Sequence, residues 1–118
     1  MATPRSGIPW FDMEEVPYRA SRLFRALSNP KAYALCRLLE EGKEREVGEL
    51  VETLGRHQAT VSKILRTLRD LNIVRYQKVG KSTFYTLKHG PTLKKLLRCA
   101  EEYIRIADPD FQQGSAHG

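Results

Sequence analysis

Cysteine is scarce: Cys36 and Cys99 are the two in 118 residues, and they stand far apart. That excludes a disulfide framework and any Cys-x-x-Cys metal or redox motif. Long apolar runs are missing too, so no segment is expected to span a bilayer. Residues 1–10 carry Pro4 and Pro9 where a signal peptide would have an apolar stretch, and a cytoplasmic location is expected. No Ser/His/Asp constellation, phosphate-binding loop or dinucleotide fingerprint occurs, so neither an enzyme nor a cofactor is expected. No internal repeat is visible.

What is present is one domain's worth of chain, 41% hydrophobic and 29% charged, which is ordinary globular composition. The net charge is +6, and its distribution is uneven. Residues 56–88 carry eight Lys or Arg against Asp70 alone, a local +7, so the remainder of the chain is slightly acidic. Residues 40–52 reverse the sign, with six Glu against Lys43 and Arg45. A concentrated basic block beside an acidic one points to an oriented footprint for a polyanion.

Pro4, Gly7 and Pro9 oppose a helix, and residues 1–16 are expected to form an arm. Pro17 suits a first helical position, followed by the stripe Tyr18, Leu23, Phe24 and Leu27. Asn29-Pro30 reads as an N-cap followed by proline at the first position of a second helix, which ends near Gly42. A short extended piece spans residues 44–46. Val47, Leu50, Val51 and Leu54 recur at helical spacing, and Gly55 ends that helix. Val61, Ile64, Leu65, Leu68 and Leu71 line the next one; Gln58, Thr60, Ser62, Lys63, Arg66 and Arg69 occupy its other side, with Asn72 as end cap. Two β-rich runs, residues 73–79 and 82–87, flank Gly80-Lys81 as a hairpin. Gly90-Pro91 opens a last helix, lined by Leu93, Leu96, Leu97, Ala100 and Ile104 and ended by Asp108-Pro109. The predicted fold is mainly α with a small β-hairpin wing (α+β), a winged helix-turn-helix over residues 17–107, with a flexible tail at 108–118.

From residue 20 to residue 104 the chain resembles the ArsR/SmtB family of repressors. The resemblance rests on Arg25-Ala26-Leu27-Ser28-Asn29-Pro30, on Val47-Gly48-Glu49-Leu50 with Leu54-Gly55, and on the run Gln58-Ala59-Thr60-Val61-Ser62-Lys63-Ile64-Leu65. Leu68-Arg69-Asp70-Leu71-Asn72-Ile73-Val74 and Gly80-Lys81-Ser82-Thr83-Phe84-Tyr85-Thr86-Leu87 continue it. It implies a homodimer through the first and last helices, binding a palindromic operator in double-stranded DNA with helix 57–71 and wing 74–87. The family's Cys-x-Cys metal motif is replaced by Glu46 and Gly48, and residues 91–116 hold no histidine, so no metal is expected.

Gln58, Thr60, Ser62 and Lys63 sit in the N-terminal half of that helix, the part expected to meet base edges. Arg56, Arg66, Lys78 and Lys81 are expected on the DNA backbone, where they position without reading sequence. The alternative for these residues is a solvated polar face, and the alternative for the chain is a winged-helix module for protein partners. Cys36 matches a redox-switch position of some family members; Cys99 is on the matching last helix but stands too early. Packing of both as small apolar side chains is the preferred reading over a thiol or persulfide switch. His57, His89 and His117 are expected to be capping or solvated residues, and the Glu run a solvated face. The stripe of the last helix is expected to need a partner. The effector, if the protein has one, is not readable from the sequence.

Overall fold

The computed structural model describes residues 15–108 and residue 110. Most of the expected arm and tail, His117 included, lies outside the described residues. The elements are α1 (Glu15–Leu27), α2 (Pro30–Leu38), a 3-10 turn (Leu39–Glu41), β1 (Arg45–Glu46) and α3 (Val47–Leu54), then α4 (Gln58–Asp70), β2 (Val74–Val79), β3 (Ser82–Leu87) and α5 (Gly90–Ala107). The strands form a three-stranded antiparallel sheet in the order β1-β3-β2.

Local chemistry sets most boundaries. The Asn29 side chain accepts from the backbone N–H groups of Lys31 and Ala32, and Pro30 follows where its missing N–H is harmless. α1 already includes Glu15, the first described residue, two residues ahead of the expected start at Pro17. Gly55 closes α3 at φ 64°, in the left-handed region. Asn72 does the same after α4 at φ 62°. There the Ile73 N–H donates to the Leu68 carbonyl and the Asn72 N–H to the Arg69 carbonyl, a Schellman ending. At the wing tip Gly80 takes φ 63°, the positive value a primed hairpin turn needs at its first central residue.

The core is a single cluster centred on Leu35, Leu39, Leu50, Val61, Leu65, Leu68, Val74 and Leu97, all essentially inaccessible to solvent. α2, α3 and α4 meet one another there, and β2 packs on α4. Each fully buried leucine contributes roughly 1.5–3 kcal/mol relative to exposure. The Arg45–Tyr85 and Glu46–Phe84 pairings hold the start of α3 to the wing. The expected α1 stripe divides: Leu27 is buried and Leu23 half-buried, whereas Tyr18 and Phe24 are exposed. α5 behaves similarly. Leu93 and Leu97 are buried, but Ile104 on the same stripe is 48% exposed, with Tyr103 and Ile106 more open still. The stripe runs on past the end of the domain's own core.

Candidate nucleic-acid interface

α4 is anchored by Val61, Leu65 and Leu68, which are buried on its inner face. Periodicity then dictates what faces out. At about 100° per residue, Ala59, Lys63, Arg66 and Asp70 lie opposite the buried stripe, and all four are exposed. Gln58 is exposed at the first turn. Thr60 and Ser62 are half-buried, a correction to their expected place on the outer face: they fall on opposite flanks of the stripe, beside side chains that pack inward. His57 is the N-cap residue of α4, but its side chain makes no capping hydrogen bond; only its carbonyl joins the helix, accepting from the Val61 N–H.

Arg56 in the turn before α4, and Lys78 and Lys81 on the wing, are also exposed. Among the described residues Arg56, Lys63, Arg66, Arg75, Lys78 and Lys81 form no ion pair with a carboxylate. The α2–α5 side of the domain contrasts with this. Glu40 receives hydrogen bonds from Arg98 at 2.7 Å and from Arg37 at 3.3 Å, and its side chain is only 7% exposed. Arg45 holds Glu41 and Glu49. The glutamate run is therefore not uniformly a solvated face: Glu40 is a buried clasp between the 3-10 turn and α5. Alternation of sign in the sequence offered a hint of this, but its partner Arg98 lies 58 residues away.

Sequence reading also missed a contact that joins α4 to the wing. The Arg69 guanidinium lies 5.4 Å from the centroid of the Tyr76 ring, and Tyr76 meets Tyr85 at 5.9 Å across β2 and β3. Arg69 also faces Asp70 at 3.6 Å. Arg75, which was outside the expected site, is exposed on β2.

Cys36 is fully buried in α2, whereas Cys99 is exposed on α5. This corrects the expectation that both pack as small apolar side chains: Cys99 falls off the buried stripe of Leu93 and Leu97. Burial first, then the nearby Glu40 carboxylate, pushes the Cys36 thiol up to about 12, so the nucleophilic thiolate is disfavoured. Tyr33 shows the same direction. Burial and its hydrogen bond to Glu101, at 2.5 Å, raise the phenol to about 12. Among the described residues no group of three His, Cys, Asp or Glu is placed to hold a metal, and no helix is long and apolar enough to cross a membrane.

The helix-turn-helix domain family matches residues 27–77. The chain is 38% identical over 96 residues to the biofilm growth-associated repressor of Xylella fastidiosa, covering 77% of this chain and 83% of that protein. Its fold resembles the crystal structure of the transcriptional repressor BigR from Xylella fastidiosa with a TM-score of 0.62. Identity there is 34%, with 79% of this chain and 96% of the other covered. HlyU from Vibrio cholerae matches with a TM-score of 0.66 at 29% identity, over 74% of this chain and 97% of that one.

Proposed function

Because this chain belongs to the ArsR family of winged helix-turn-helix transcriptional regulators, we propose that it is a repressor that acts as a homodimer on a palindromic operator. α4 enters the major groove, with Gln58 and Lys63 toward base edges and Thr60 and Ser62 reaching groove or phosphate from its flanks. Arg56, Arg66, Lys78 and Lys81 hold the sugar-phosphate backbone. The observation that carries this reading is the set of exposed cations on the outer side of α4 and on the wing, unpaired among the described residues. On the α2–α5 side, Arg37, Arg45 and Arg98 are instead matched to glutamates. A protein-docking surface has little use for such unmatched charge, whereas phosphate neutralisation requires it.

Dimerisation is supported by α5, whose apolar stripe emerges from the core at Ile104, and by the exposed Phe24 on α1. A twofold pair of α4 helices matches two half-sites about one helical turn of DNA apart. The buried, protonated Cys36 supports packing rather than a thiol switch.

The test is binding to duplex DNA selected by the chain from a randomised pool, measured against salt. A steep negative slope of log affinity on log salt and a palindromic consensus are expected. A flat slope, or no enrichment of any sequence, would overturn the repressor reading in favour of a protein-interaction module.

A further inference from the structure

Among the described residues, two clefts of ligand size differ in how their arginines are matched. The larger, about 780 Å³, is lined among others by Arg37, Glu40, Glu41, Arg45, Lys94 and Arg98. Each of these arginines pairs with a glutamate, and Lys94 has no carboxylate partner among the described residues. The other, about 570 Å³, lies between α1, the start of α2 and the C-terminal half of α4. Three arginines of α1 and one carboxylate, Asp70, line it. Arg19 is held by Glu15 at 3.1 Å, and Asp70 faces Arg69. Arg22 and Arg25 have no carboxylate partner among the described residues. Leu23 of α1 and Ile64, Leu68 and Leu71 at the α4 side also line it.

We propose that this cleft binds a small organic anion, a carboxylate or sulfonate on an apolar body, and that its occupancy alters DNA affinity. The anionic end meets Arg22 and Arg25, whose planar guanidinium groups suit two-point pairing with such oxygens. The body lies against the half-buried Leu23, Ile64 and Leu71. The volume falls within the roughly 300–1,000 Å³ usual for small-molecule sites, and the lining is about equally polar and apolar, which matches a charged head on an apolar body. Ile64 and Leu68 belong to α4 and Leu71 is its cap, so a ligand that favours one placement of α1 against α4 shifts the balance of recognition-helix positions. Arg22 lies about 160° and Arg25 about 100° around α1 from the exposed Phe24, so a partner seated on Phe24 approaches from another side of the helix.

The binding claim stands without DNA; the coupling claim rests on the repressor reading. The probe is 8-anilinonaphthalene-1-sulfonate, followed by fluorescence with the full chain. Saturable binding is expected, weakened about tenfold or more in Arg22→Gln/Arg25→Gln. Arg22→Lys/Arg25→Lys, which keeps the charge, is expected to recover part of it, while the uncharged N-phenyl-1-naphthylamine binds all three proteins alike. Unchanged sulfonate affinity in the glutamine variant, at an unchanged melting temperature, overturns the site, as does an absence of saturable binding. Saturating sulfonate is then expected to move the DNA-binding midpoint about fivefold in the unaltered protein and not in the glutamine variant. An equal midpoint overturns the coupling, and so does weaker DNA binding by the glutamine variant without probe, which would assign both arginines to phosphate. If the unaltered protein binds no DNA, the repressor reading has failed and the fluorescence titration still decides the cleft.

Discussion

The Arg69 guanidinium rests 5.4 Å from the ring centroid of Tyr76, so α4 and the first strand of the wing are joined by a cation–π contact. Helix and wing can then present their cations as one surface. Because both side chains are partly exposed, the contact is of modest strength.

A double-mutant cycle on Arg69→Ala and Tyr76→Leu is expected to give a coupling of about 0.5–1 kcal/mol in urea unfolding. Tyr76→Leu is also expected to weaken DNA binding, through loss of wing alignment rather than of charge. A coupling indistinguishable from zero would mean that the pair merely lies close.

Lys81→Ala should lower the salt slope of DNA binding by about 1 while leaving the selected sequence unchanged. Gln58→Ala should do the opposite, costing about 1–3 kcal/mol against the preferred site and relaxing preference at one base position. Repeating the sequence selection with each variant checks both. If Lys81→Ala changes the consensus, its assignment to the backbone is wrong.

Ile104→Glu places a charge on the part of the α5 stripe that has left the core. Sedimentation is expected to show a monomer that keeps its helical circular dichroism, with operator affinity sharply reduced. A folded dimer in this variant would move the subunit interface elsewhere.

At pH 8 a thiol-specific disulfide reagent should modify Cys99 promptly and reach Cys36 only on unfolding. Cys99 is exposed, whereas Cys36 is buried and its thiol is held protonated. The folded-state value of Cys36, about 12, lies above its ordinary 9.0, so folding favours the protonated form. Its contribution to stability is fully present below pH 9 and is lost as pH rises from there toward 12. Cys36→Ala should flatten that alkaline decline. Rapid modification of both thiols in the folded protein would instead favour a redox role.

Much of this molecule was legible residue by residue. Asn29-Pro30 announced a capped helix start, Gly55 and Asn72 marked helix ends, and the i, i+3, i+4 leucines of α4 identified its buried face. These signals are local, because a cap or a turn is settled by a handful of neighbouring atoms. Thr60 and Ser62 were harder to place, since composition calls both polar while helix geometry sets them on the flanks of the packed stripe. Glu40 was misplaced for a related reason: its partner Arg98 lies far along the chain, and only folding brings them together.

The amino-acid order alone determined the succession of helices, the hairpin wing and the concentration of positive charge in residues 56–88, because short-range periodicity and turn chemistry suffice for these. Tertiary packing decided which cations remain unmatched, which apolar side chains emerge on α1 and α5, and that Arg22 and Arg25 share a cleft with α4. Those properties depend on distances between segments remote in sequence, which come into being only when the leucine core closes and each helix is turned to a particular angle.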